Sequence, residues 1–351
     1  MMKLGYVVLF VLLISCGEHK KYNHCSRITL DDFAKPVLLE SEIVDLDEPV
    51  MRPLRIYAID SFLITKEDES EFLLQKYNIN SWKKVGECFT FGSGPNEFLW
   101  IQSLQLVNSY IWLADGQNAS ISQFRKENIL LLDSTNVEAV GKIFFEDHFR
   151  YIVVLPDSQF VALAYNINRK RLSFYDFEGN FIKTKGDFPD YGDKLTEVEK
   201  LEGFSCNMIL SPHKDHIFLF YMQTDLIEIY DLAGNLERRL HGPDYFYPAV
   251  NQVSQGDVLR VSSVDGESRD GYFSPVVVND KVYVLYSGEY YDRNKGSSLQ
   301  KNLFVFDNEG TPVKRYLLNT PIYNFTIDSK ENFLYGLSND PEFHVVRYKL
   351  D

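Results

Sequence analysis

Phe174-Tyr-Asp-Phe-Glu-Gly179, Ile229-Tyr-Asp-Leu-Ala-Gly234 and Val305-Phe-Asp-Asn-Glu-Gly310 repeat one short pattern, aromatic-Asp-x-x-Gly. An Asp that can bond its own turn and a Gly that accepts a left-handed backbone suit a tight antiparallel connection. Degenerate versions stand at Tyr77-Asn78 and Phe124-Arg125. Each copy therefore joins a third strand to a fourth.

Ahead of each comes a hairpin: an apolar run, a short polar turn, another apolar run. The pairs are Leu54–Ile59 with Phe62–Thr65, Leu104–Val107 with Tyr110–Ala114, and Tyr151–Leu155 with Phe160–Ala164. Asn207–Leu210 with His216–Phe220, Pro275–Val278 with Val282–Tyr286, and Tyr323–Ile327 with Phe333–Tyr335 complete the set. Unbroken apolar runs bounded by turn residues read as strands buried on both faces. The hairpins recur at roughly 50 residues, stretched in the second half. Six four-stranded units make an all-β, six-bladed β-propeller over residues 36–351. Rings of five or seven blades and two separate all-β domains are the alternatives; the second needs a linker, and no Pro/Gly/Ser-rich stretch supplies one. The sixth unit ends after its third strand, Phe343–Tyr348, with the chain stopping at Asp351. The unassigned N-terminal run 37–46 is expected to fill that gap and remove an open sheet edge.

The chain opens Met-Met-Lys3, followed by the apolar run Leu4–Ile14 and Ser15-Cys16. Such a run is too short to span a bilayer and reads as a secretory signal over residues 1–15. Leu13-Ile14-Ser15-Cys16 resembles the lipobox of bacterial lipoproteins, which implies lipidation at Cys16; the plainer alternative is an ordinary signal peptide. Residues 16–35 are expected to carry the lipid and act as a tether. The sequence has a formal charge of −14, which disfavours nucleic acid as a partner. Beyond Cys16, the cysteines Cys25, Cys88 and Cys206 lack metal or disulfide spacing, and the last two are expected as buried thiols in strands.

Phe91-Gly-Ser-Gly-Pro-Asn-Glu-Phe98 lies between blades one and two. A phosphate loop requires a Lys-Ser/Thr and a following helix; here neither follows. Gly92, Gly94 and Pro95 fit a connector, with Glu97 bonding loop N–H groups. Gly-x-Gly-Pro-x-Glu-Phe, with Tyr286-Ser-Gly288 late in the chain, resembles the TolB-like six-bladed propeller lipoproteins of Bacteroidetes. Tyr110–Phe124 also resembles a degenerate NHL-type repeat. The resemblance covers residues 37–351 and implies fold and an envelope location, with the outer membrane as anchor and the propeller in the periplasm or at the surface. It implies no chemistry. Asn96 stands where the motif usually has Gly.

Strand order assigns two faces. Turns from first to second and third to fourth strands are expected to be short on one face, with the excess length on the other: Gly186–Gly203, His241–Gly271, Gly288–Leu299 and Asn166–Lys170. Recognition residues concentrate in long loops. This makes Arg169, Tyr245, Tyr247, Arg269, Tyr290, Tyr291 and Arg293 candidate ligand contacts, alongside Lys295. Aromatics and arginines suit a peptide, glycan or envelope protein; the plainer reading has them covering the blade ends. His148 and His241, with Asp187, are candidate metal ligands, against solvated or core histidines. His213 and His216 belong to a turn on the opposite face. No nucleophile-elbow, zincin or Ser-x-x-Lys motif occurs. The expectation is a lipid-anchored binding propeller with no cofactor and no catalysis. The alternatives are an envelope carbohydrate-active hydrolase or lyase with acids and His at the channel mouth, and a structural part of a lipoprotein complex.

Overall fold

The computed structural model describes residues 21–131, 137–157, 159–192, 195–255, 258–293 and 298–350. Adjacent buried residues in one strand enter different cores. Leu63 packs with Tyr335 and Val345, while its neighbour Ile64 packs with Leu104 and Leu113. Ile217 and Leu219 likewise face one neighbouring sheet, and Phe218 and Phe220 the other. This is why the strands read as unbroken apolar runs: each sheet is sandwiched between two others.

Six sheets repeat the arrangement. Blade one comprises Pro53–Ile59, Phe62–Glu67, Phe72–Asn78 and Lys84–Phe91, and blade two Ile101–Val107, Tyr110–Asp115, Ser120–Arg125 and Gly141–Phe144. Blade three comprises Phe149–Val154, Phe160–Ala164, Leu172–Tyr175 and Phe181–Lys185, and blade four Cys206–Leu210, His216–Tyr221, Leu226–Asp231 and Leu236–His241. Blade five comprises Tyr272–Val278, Lys281–Tyr286, Gln300–Phe306 and Pro312–Ile322, and blade six Asn324–Ile327, Phe333–Ser338 and His344–Lys349. Six apolar clusters fill the six spaces between neighbouring blades, including the one between blades six and one.

Ring closure differs in detail from the expectation. Run 37–46 divides. Ser41–Ile43 pairs antiparallel with Val346–Tyr348 and supplies the fourth strand of blade six. Val37–Leu39 instead adds a fifth, parallel strand to blade five beside Tyr316–Leu318. Both parts are edge strands with exposed Leu38 and Ile43, so no buried alternation marks the division. Ser41 fixes the joint: its N–H donates to Asn319 Oδ1 at 3.0 Å, and its hydroxyl lies 2.7 Å from that of Thr320.

Residues 22–35, expected as part of a tether, pack against the blades. Tyr22 is wholly buried, Cys25–Arg27 runs parallel to Arg239–His241 on blade four, and Phe33 packs on Phe304 and Phe306. Residues 22–35 therefore belong to the propeller body. Cys16 and the signal segment lie outside the described residues.

The Asp-x-x-Gly turns close as the pattern requires. Gly179, Gly234 and Gly310 have φ of +89°, +86° and +77°, and each N–H bonds the carbonyl of its Asp. Each glycine also lies against the preceding blade. A Cβ on Gly179 would sit 2.2 Å from the Phe144 carbonyl oxygen. Blade two is the exception to short turns on this face: its third-to-fourth connection, where the motif is degenerate, contains the helix Lys126–Leu131.

Candidate functional site

The six innermost strands enclose a central cavity of about 740 Å³. Strands at the hub lack a partner on their inner edge, so their polar side chains link each blade to the next. Ile56 and Ala58 N–H groups donate to Asn324 Oδ1 and Thr326 Oγ1, both at 3.0 Å. The Tyr57 hydroxyl meets the Leu104 backbone. Gln105 bridges to the Ile152 carbonyl at 2.7 Å and the Val154 N–H at 3.2 Å. The Tyr151 hydroxyl donates to Asn207 Oδ1, whose amide reaches the Tyr272 carbonyl. Asn324 Nδ2 donates to Ser274 Oγ at 2.8 Å, completing the circuit.

The cavity has a polar end and an apolar end. Arg55, Ser103, Tyr151, Asn207, Ser274 and Asn324 line the end nearest the blade crossovers. Arg55 Nη2 crosses from blade one to the Tyr151 hydroxyl of blade three at 2.8 Å. Towards the other end the walls become Val107, Leu155, Leu210 and Val277, and the lining finishes at the turn residues Asn108, Pro156, Pro212 and Lys214. The mouth therefore opens on the short-turn face. This is opposite to the face that loop length indicated. Arg55 and Lys214 are the charged groups of the lining; among the described residues no carboxylate and no histidine joins them.

None of the seven predicted loop residues lines this cavity. Most are held by neighbours. Arg169 pairs with Glu146 and with Asp147 Oδ2 at 2.9 Å, and its guanidinium lies 3.7 Å over the Phe181 ring. Burial works to raise the Asp147 carboxyl, but bonds from Asn166, Arg169 and Tyr175 outweigh it and hold it below the usual range. Arg269 donates to the Gly288 carbonyl, pairs with Asp244 at 3.2 Å and lies between the Phe246 and Tyr290 rings. The Tyr245 hydroxyl donates to the Ile28 carbonyl, and Tyr247 stacks on Tyr191 at 4.8 Å. The Tyr291 N–H bonds the Ser268 carbonyl. The Arg293 N–H bonds Asp265, and its exposed side chain approaches the same carboxylate. Tyr290 alone of the four tyrosines named is largely exposed, at 60%. Lys295 lies outside the described residues. Buried Asp225 organises much of this region by accepting from the N–H groups of Asp244, Tyr245 and Phe246.

The histidines do not assemble a metal site. His241 is buried against Asp225 at 3.0 Å within a box of Tyr22, Tyr245 and Tyr247. His148 contacts the Gly116 carbonyl and lines an open cleft of about 400 Å³ with Trp100, Gln102, Arg150 and Tyr165. Asp187 pairs with Lys170. His216 lies between Asp215 and Glu237, on the other face. Among the described residues no group of three or more His, Cys, Asp or Glu could hold a metal ion. Cys88 and Cys206 are buried thiols in strands, and burial pushes the Cys206 thiol up to about 11 despite Arg171 beside it.

The Phe91–Phe98 stretch is a closed loop. Glu97 Oε2 accepts from the Gly94 N–H at 2.7 Å, Pro95 is exposed at the turn, and Glu97-Phe98 pairs parallel with Thr90-Phe91. Gly92 has a φ of +156°, and a Cβ there would meet Glu97 Oε2 at 2.0 Å. The carboxylate fills the space a bound anion would need.

Sequence reasoning missed the hub residues Arg55, Gln105 and Asn207. The signal was available as single polar residues interrupting the innermost apolar strands.

Among curated proteins none matches the chain. Among solved structures, a DUF4221-family member from Bacteroides vulgatus superposes with a TM-score of 0.57 at 10% identity, covering 90% of this chain and 97% of that one. A Bacteroides fragilis protein named as exported gives 0.52 at 12% identity, covering 93% and 97%. These similarities speak to the fold. The family model described as TolB-like 6-blade propeller-like matches residues 32–330, and the chain belongs to that family.

Proposed function

We propose that this protein is a lipid-anchored binding propeller of the bacterial cell envelope that takes a small ligand into its central cavity from the short-turn face. The observation that carries the reading is the cavity itself. Its volume is that of a small-molecule site, its walls are largely apolar, and a few polar groups converge at one end. The binding reading is preferred to an acid-pair hydrolase or lyase because, among the described residues, no carboxylate lines the cavity or the open cleft.

The anchor and envelope location rest on the lipobox-like Leu13–Cys16, and one propeller of the same fold from Bacteroides fragilis is named as exported. Five residues lie between Cys16 and Tyr22, and the six steps give a reach of about 20 Å. Tyr22 is fixed among Tyr191, Phe204 and Tyr247 on the loop-rich face. A lipid on Cys16 thus holds that face towards the bilayer and leaves the cavity mouth pointing away, accessible to a diffusing ligand.

The test is to purify the protein from its native envelope, denature it and identify released small molecules by mass spectrometry. Val276 lines the cavity, and Val276→Trp fills it. The reading predicts a compound released by the wild type and missing from the folded variant. Equal release from both, or none from either, contradicts it.

A further inference from the structure

The cavity's polar end carries a cation, Arg55, that makes no ion pair among the described residues. Arg150 and Arg239 meet Glu202 and Glu228, and Arg169 meets Asp147. Arg171 makes no ion pair among the described residues, but it directs its donors to the Phe204 carbonyl, Tyr221 and Cys206. Arg55 has neither arrangement. Its hydrogen bond among the described residues is the single one to Tyr151, and no ion pair to it occurs among them. A guanidinium has five N–H donors in a planar fork, so one bond leaves most of that capacity directed at the cavity. Lys66, paired with Arg55 across the adjacent strands, adds positive charge behind it rather than neutralising it.

The setting strengthens the argument. The protein as a whole is strongly acidic, at −14, yet the charged groups of this lining are Arg55 at the floor and Lys214 at the mouth. A concave, low-dielectric wall bearing one sign of charge focuses its field on whatever enters. Arg55 is half-buried, and a cation withdrawn even partly from water gains from pairing, which a ligand anion supplies.

We propose that the cavity binds an organic carboxylate: a monoanionic head on Arg55 and an apolar body along the Val107, Leu155 and Leu210 walls. This rests on the cavity reading above and names its substrate class. A carboxylate fits better than a phosphate dianion because one fork-shaped donor lies at the floor, matching two coplanar oxygens. Asn207 and Ser274, which also line that end, are neutral and engaged in the hub circuit, so neither adds a second cation.

The experiment uses a matched probe pair, 4-phenylbutyrate and 4-phenylbutanamide, measured by calorimetry on the mature chain near neutral pH. The two probes differ in charge and little in shape. The wild type is expected to bind the acid at least tenfold more tightly. Arg55→Gln is expected to abolish that preference while still binding the amide, and Arg55→Lys to retain part of it. Equal binding of acid and amide by the wild type overturns the carboxylate assignment and leaves the cavity reading standing. So does an acid preference that persists in Arg55→Gln, or tighter binding of 4-phenylbutyl phosphate. Binding of neither probe overturns the assignment, and release of no native compound in the preceding experiment separately overturns the cavity reading. The wild-type comparison is decisive even where Arg55→Gln does not fold.

Discussion

Val44→Pro tests ring closure at a single bond. Val44 follows the closing strand, and its N–H donates to the Val345 carbonyl at 2.9 Å. Both residues are buried in the cluster between blades six and one, with Leu63, Tyr77 and Leu337. Proline removes the donor while keeping an apolar side chain. The lost bond costs about 1 kcal/mol net, and a buried carbonyl left without a partner adds about 1–3 kcal/mol, giving about 2–4 kcal/mol in all. Val44→Ala is the control: it keeps the bond and removes two methyl groups, costing about 1.6 kcal/mol before any cavity term. Because these ranges approach each other, the deciding assay is native-state hydrogen exchange read peptide by peptide. Val44→Pro should deprotect amides in Ser41–Ile43 and His344–Lys349, and then along blade one. Val44→Ala should leave that pattern intact. Unchanged protection of His344–Lys349 in Val44→Pro would refute the claim that this short strand latches the ring.

Three further outcomes follow from local geometry. Gly179→Ala should cost about 2–4 kcal/mol in urea unfolding, since a left-handed non-glycine residue alone costs about 1–2 kcal/mol and the new Cβ meets the Phe144 carbonyl; Gly141→Ala, with open space around it, should be neutral. Glu228→Leu removes the carboxylate that accepts from Tyr221, Tyr230 and Arg239 inside blade four, and should cost about 3–5 kcal/mol with a lowered melting temperature. Burial pushes the Lys66 ammonium down to about 8, with Asp68 opposing that. The unfolded chain then binds more protons than the fold between that pH and the ordinary lysine range, so Lys66 makes stability rise with pH across that window. The difference in unfolding free energy between wild type and Lys66→Met should move in the wild type's favour from pH 8 to 10; a flat difference would contradict the shift.

The architecture was legible because propeller hairpins leave local marks. All six predicted hairpins are the first two strands of the six blades, and the three full Asp-x-x-Gly copies are third-to-fourth turns. Where the motif decays, so did the reading: nothing around Phe124-Arg125 announced the helix Lys126–Leu131. The division of run 37–46 was hidden because edge strands expose one side, and Leu38 and Ile43 look like core residues in sequence.

The candidate site was less legible for a different reason. Arginines and aromatics in long loops look available in sequence, but Arg269 is neutralised by Asp244 and Arg169 by Asp147, partners brought together by the fold. Arg55 sits in an unremarkable strand, Leu54–Ile59, and becomes conspicuous once six strands converge on it. A site assembled from one or two residues per blade has no local motif; polar interruptions of the innermost strands are its trace.

The most direct measurement is a crystal structure of protein purified from its native envelope. The account predicts ordered non-protein density in the channel, with two coplanar oxygens facing the Arg55 guanidinium and an apolar body extending towards Pro156 and Pro212. A channel holding water alone, with ligand density over Trp100 or Tyr290 on the loop-rich face, would contradict it.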